Sequence, residues 1–139
     1  MADLRYAIYE AARACDWDAL ESLLDPATFS YSFGQSGHPL ACWQRAEFLH
    51  YQPMLYIADL LQRPFGAIET DGTTTYTWPS AQAYGSWAEV PEAERAALRP
   101  LYDEAALARF EDYGAYLGYC VGISWDAESA QWIYAVAGD

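Results

Sequence analysis

The fold turns on the tail of the chain, Ala115-Tyr116-Leu117-Gly118-Tyr119-Cys120-Val121-Gly122-Ile123-Ser124-Trp125, and on Ala130-Gln131-Trp132-Ile133-Tyr134-Ala135-Val136-Ala137 after it. Both runs carry β-branched and aromatic residues, and neither contains a charge. This predicts two strands, 115–125 and 130–137, joined by Asp126-Ala127-Glu128-Ser129. An antiparallel pairing of Trp125 with Ala130, Ile123 with Trp132, Val121 with Tyr134 and Tyr119 with Val136 sets bulky residues against each other on one face. The opposite face then carries Gly118, Cys120, Gly122 and Ser124 against Ala137, Ala135, Ile133 and Gln131. Strands without charge on either side have both sides covered. One cover is the helix-packed core. Over the small face it is a close helix, a second subunit, or a ligand in a concave cavity, and Gly118 and Gly122 permit close approach of any of these.

Working back along the chain, Leu4, Ile8, Ala11, Ala12 and Cys15 recur at helical spacing and predict a helix over 2–15. Asp16 caps a second, short helix with Leu20, Leu23 and Leu24 inward, and Pro26 stops it. Thr28 to Phe33 alternates, with Phe29, Tyr31 and Phe33 on one side, which predicts a strand. After the loop Gly34-Gln35-Ser36-Gly37-His38, Pro39 opens a helix carrying Trp43 and Ala46, with His50 at its fringe. Pro53 opens another, with Met54, Ile57, Ala58 and Leu61 inward. Asp71-Gly72 between Ala67–Thr70 and Thr73–Trp78 is a two-residue hairpin signal. Residues 79–90 read as irregular. Helices follow from Pro91 to Pro100 and on to Tyr113, with Gly114 as the C-terminal cap.

The run Ala11-Ala12-Arg13-Ala14-Cys15-Asp16-Trp17-Asp18-Ala19-Leu20, continued by Leu23-Leu24-Asp25-Pro26 and Phe29-Ser30-Tyr31, resembles the start of nuclear transport factor 2-like domains. The likeness covers about residues 4–33, and the rest agrees in element order, with two extra helices in 79–114. It implies a single α+β domain with N-terminal helices on a curved antiparallel sheet, in the cone-like cystatin and nuclear transport factor 2-like architecture, enclosing an apolar cavity. That group includes ketosteroid isomerases, polyketide cyclases, dehydratases and non-catalytic ligand-binding or assembly modules. The fold therefore does not carry the function. Its enzymes use an Asp, or a His and Asp pair, inside the cavity, and no such position transfers to this chain.

The 139 residues are 53% apolar and 19% charged, in the range of one globular domain. No apolar run approaches the roughly 20 residues of a membrane helix, and Met1-Ala2-Asp3-Leu4-Arg5 carries no secretory pattern. Twenty acids face seven bases, every base is arginine, and the net charge is −13. Nucleic acid and anionic membranes are thereby disfavoured as partners, for want of a basic footprint. The charge suits solubility, or a docking surface for a basic protein as in immunity or antitoxin-like proteins. Cys15, Cys42 and Cys120 have neither disulfide-framework nor zinc spacing and read as small buried apolar residues; a reducing cytoplasm is the expected compartment.

No phosphate loop, nucleophile elbow, metal spacing or cofactor motif appears. Of the two histidines, His38 sits in a loop after an aromatic strand, where binding residues concentrate, while His50 reads as surface or capping. Asp59, among Ile57, Ala58, Leu60 and Leu61, suits a general base if it faces inward. Asp139 could close a cavity mouth or fray with the terminus. Tyr31, Tyr76 and Trp78 combine apolar bodies with polar tips and suit a pocket as well as a core. The expected binding set is Tyr31, His38, Tyr76, Trp78 and Cys120, for a small apolar ligand or along a homodimer seam. A carboxylate-based isomerase or lyase is the enzymatic alternative.

Overall fold

The computed structural model describes residues 1–31, 38–126 and 128–137, and shows an α+β fold. Helix α1 (Ala2–Ala14) buries Ile8, Ala11 and Ala12 and ends at Cys15, whose left-handed backbone (φ 50°) turns its N–H back to Ala11 and Ala12. Asp16 accepts a 3.0 Å hydrogen bond from the Ala19 N–H and so caps α2 (Trp17–Leu23). Strand β1 is Ser30–Tyr31; its expected continuation to Phe33 and the loop 34–37 lie outside the described residues.

Pro39 and Pro53 open α3 (Pro39–Phe48) and α4 (Pro53–Leu60), where a missing N–H costs nothing. Strands β2 (Gly66–Thr70) and β3 (Thr73–Trp78) form the expected hairpin, with Asp71 (φ 49°) and Gly72 (φ 81°) both left-handed, as a type I′ turn requires. Residues 79–90 hold two short 3-10 turns, Ser80–Ala83 and Trp87–Glu89. Then come α5 (Glu92–Leu98), α6 (Glu104–Tyr113), β4 (Tyr119–Trp125) and β5 (Ala130–Ala137). Among the described residues, no helix is long and apolar enough to cross a membrane.

The strands lie in the order β1-β5-β4-β3-β2, and β1 and β2 are its two edges. Three of the four pairings are antiparallel, but β1 runs parallel to β5, with Ser30 opposite Tyr134 and Tyr31 opposite Ala135. The sheet is thus mixed, which corrects the wholly antiparallel expectation. The two-residue β1 carries no turn signal tying it to a neighbour, so nothing local marks its direction.

The pairing of β4 with β5 needs a second correction. Trp125 faces Ala130 and Ile123 faces Trp132 as expected, but Gly122 faces Tyr134, Val121 faces Ala135 and Tyr119 faces Ala137. Ile133 is the extra residue of a β-bulge. A bulge shifts the alternation by one, so Trp132 and Ala135 share one face while Tyr134 and Val136 share the other. The bulky-against-bulky face predicted from strict alternation therefore holds only up to the bulge, beyond which Val121 meets Ala135 and Tyr119 meets Ala137.

Two apolar layers result. On one side, α1–α4 pack on Trp78, Val121, Ile123, Trp132 and Ala135. Trp43 stacks on Trp132 with ring centres 5.7 Å apart and planes 25° apart, and Phe29 meets both rings edge-on. Such ring pairs add about 0.5–1.5 kcal/mol beyond simple burial. On the other side, residues 81–117 cover Cys120 and the neighbouring parts of Tyr134 and Val136 with Ala81, Trp87, Val90, Leu98, Phe110 and Tyr116. Of the three covers weighed for the small face, the chain supplies its own helical one. The glycines serve tyrosines: a β-carbon on Gly118 would collide with the hydroxyls of Tyr102 and Tyr116, and one on Gly122 with the Tyr134 ring.

Candidate functional site

The residues singled out in the sequence do not converge on one place. Tyr76 and the fully buried Trp78 pack, with half-buried Tyr31, into the α1–α4 layer. Cys120 lies in the opposite layer, and burial pushes its thiol up to about 12. His38 is the residue before α3; its Nε2 stands 3.9 Å from a carboxylate oxygen of Glu21, and its side chain is 36% exposed. Cys15 is exposed and Cys42 half-buried, so only Cys120 fits the buried reading of the thiols. Asp59 faces solvent, as does every other aspartate among the described residues; Asp139 lies outside them.

The α5–α6 layer holds a compact tyrosine network. Tyr102 and Tyr116 share a 2.9 Å hydroxyl contact, Tyr116 donates to the Tyr119 carbonyl at 2.7 Å, and the Tyr119 N–H donates to Tyr102 at 2.9 Å. Burial holds the Tyr102 hydroxyl above its ordinary range and that of Tyr116 well above it. The polar tips here are engaged with their neighbours, so the network pins the start of β4 to the connection between α5 and α6. Glu94 acts similarly, accepting from the Ser80 hydroxyl and, at 3.0 Å, from Tyr84, which clips the first 3-10 turn to α5.

Two open depressions of about 370 Å³ each mark the surface, one lined by Arg5, Tyr6, Tyr9 and Gln62 and one by Ala7, Glu10, Ser22 and Leu23 among others. Neither includes a residue of the expected binding set. Arg5 is already occupied, donating through its guanidinium to the Leu61 carbonyl and lying 5.8 Å over the Trp78 ring. Among the described residues, no three His, Cys, Asp or Glu side chains gather in a way that would hold a metal ion.

A different surface stands out, built at the reversal between α3 and α4. Helix α4 spends its inner face on Met54, Ile57, Ala58 and Leu60, so Leu55, Tyr56 and Asp59 point out. Helix α3 buries Leu40 and Trp43 and leaves Phe48 outward. The connection is tight. The backbone N–H of His50 donates to the Glu47 carbonyl at 2.9 Å and that of Tyr51 to the Ala46 carbonyl at 3.0 Å, and the Glu47 carboxylate accepts from the Met54 N–H at 2.8 Å, capping α4. His50 (φ 65°) and Gln52 (φ 50°) are both left-handed without being glycine. Each such residue costs about 1 kcal/mol or more, and strain of this kind concentrates at binding sites.

The turn thereby holds out a knuckle of apolar side chains: Phe48 is 83% exposed, Leu49 52%, Tyr51 67%, Leu55 52% and Tyr56 38%. Single exposed apolar residues are ordinary, but five within nine residues at one chain reversal are an unusual concentration, and concentrations of this kind mark interaction sites. The sequence reading missed it although its signal was present. Once Met54, Ile57, Ala58 and Leu61 are assigned inward, Leu55 is left to solvent and Tyr56 to the margin, where its ring lies 6.3 Å from that of Tyr119. No protein-family model, curated protein or solved structure matches the chain.

Proposed function

We propose that this domain is a protein-binding module that docks a basic partner, with the Phe48–Tyr56 knuckle as the apolar centre of the contact. The observation that carries the reading is the exposure of Phe48, Leu49, Tyr51, Leu55 and Tyr56 on one rigidly hydrogen-bonded turn. Aromatic anchors surrounded by polar surface are the pattern of interface hot spots. The net charge of −13 supplies the second half: it speeds encounter with a positively charged surface and repels another copy of the same chain. The N-terminal resemblance to nuclear transport factor 2-like domains, which include many non-catalytic ligand-binding or assembly modules, is compatible with it by analogy. The carboxylate-enzyme reading draws no comparable support, since it calls for a buried aspartate and every described one faces solvent.

A photo-crosslinking residue in place of Tyr51, with one in place of the equally exposed but distant-in-sequence Tyr113 as control, tests the proposal in cells that make the protein. The expected result is an adduct specific to position 51, with a protein of strongly basic charge, lost in a Phe48→Asp background and reduced at high salt. Equal labelling from both positions, or an adduct that is a second copy of this chain, would overturn it.

A further inference from the structure

We infer that the free edge of β2 accepts an extended basic segment of another protein as a sixth strand. The inference is independent of the knuckle and stands or falls separately. The sheet ends at β2, and residues 67–70 are exposed. Because the β2–β3 turn has two residues, Thr70 and Thr73 form the last doubly hydrogen-bonded pair, followed by Ile68 with Thr75 and Gly66 with Thr77. The N–H and C=O groups of Ala67 and Glu69 therefore point outward, with no strand beyond them.

Natural edges of this kind are blunted by proline, a bulge or charged side chains; β2 has neither proline nor bulge within Gly66–Thr70, and its one charge, Glu69, guards it against acidic strands while leaving it open to basic ones. Its exposed residues are instead suited to a specific strand. Ile68 (38% exposed) offers an apolar contact on one face. On the other face Glu69 offers a carboxylate fixed in place by a 2.7 Å hydrogen bond from Thr74. Asp71 adds a second acid, and no base occurs from 64 to 78. An incoming strand with basic residues opposite Glu69 and apolar ones beside Ile68 satisfies both faces. A second copy of this chain fits less well. Antiparallel pairing about Ile68 would place the two Glu69 carboxylates on one face, between chains of −13 each.

The test uses an acetylated and amidated heptapeptide of alternating valine and lysine, with its valine–glutamate counterpart as control, and reads amide exchange by NMR. The expected result is at least fivefold slower exchange at the Ala67 and Glu69 amides with the lysine peptide only, reversed at high salt. The amides of Ile68 and Thr70, already bonded to β3, should change less. Ala67→Pro removes an outward N–H without touching the β2–β3 ladder and should abolish the effect; Glu69→Gln should weaken it severalfold. An equal response to the glutamate peptide, no change at Ala67 and Glu69, or protection there that grows with protein concentration alone would each overturn the inference, the last by showing self-pairing.

Discussion

Tyr134 lies against the bare Cα of Gly122 so closely that a β-carbon there would overlap Cζ and both Cε atoms of the ring. The contact exists because the bulge at Ile133 turns Tyr134 onto the face of Gly122 and Cys120. Gly122→Ala should therefore destabilise by about 1–3 kcal/mol, seen as a lower urea midpoint. Removing the ring should absorb much of that loss, so that Gly122→Ala costs clearly less in a Tyr134→Ala background. Simple additivity of the two changes would contradict the packing described.

Much of the fold was legible because its signals are local. Asp16, Pro39, Pro53, Asp71-Gly72 and Gly114 are caps and turns that act within a few residues, and each does its expected job. The bulge and the parallel direction of β1 were not legible, since both are settled by packing between distant segments. Strict alternation cannot announce that Ile133 will drop out of register. The expected binding set is divided between the two layers for a related reason. Tyr76, Trp78 and Cys120 were recognised as strand residues, but which layer each would enter depended on covers supplied by α1–α4 and by residues 81–117.

If the knuckle is for binding and not for folding, its side chains should matter little to stability. Phe48→Ser and Tyr51→Ser are expected to shift the unfolding free energy by no more than about 0.5 kcal/mol. Trp43→Ala, five residues upstream and stacked on Trp132, should cost about 3–5 kcal/mol. Denaturant titration of the three variants checks the contrast.

Thiol reactivity should separate Cys15 from Cys120. Cys15 is exposed, while Cys120 is buried with its thiol pushed up to about 12. An alkylating reagent at pH 8 should label Cys15 at least tenfold faster than Cys120, which becomes reactive only on unfolding; peptide mass mapping gives the order.

Alkaline pH should unfold the domain through its tyrosines. Burial raises the hydroxyls of Tyr102, Tyr116 and Tyr119 above their ordinary range, so the native state holds protons that the unfolded chain releases. Their contribution is complete below about pH 10 and is lost as pH rises past that value. Absorbance at 295 nm should show an exposed set of tyrosines titrating first and a second set only with loss of structure.

Acid should act on the loop before β5. The Asp126 carboxylate accepts from the Ser129 N–H at 2.8 Å, the Glu128 N–H at 3.1 Å and the Ser129 hydroxyl at 3.1 Å, which holds its pKa below the ordinary value. Its stabilising effect is full above the ordinary carboxylate range and fades as pH falls through the lowered one. Asp126→Asn should thus be less stable than the parent at pH 7, with the gap closing toward pH 3 in matched denaturant curves.

The parallel seating of β1 on β5 has a consequence for how the protein is made. Ser30 meets Tyr134, and Gln131 donates to the Thr28 hydroxyl at 2.7 Å, so the first strand waits until residues about a hundred positions further on have left the ribosome. Until then Leu24, Phe29 and Trp43 have no Trp132 to close over them. The N-terminal helices cannot finish as an early, self-sufficient unit, and a nascent chain stalled before residue 130 would present that apolar surface to chaperones.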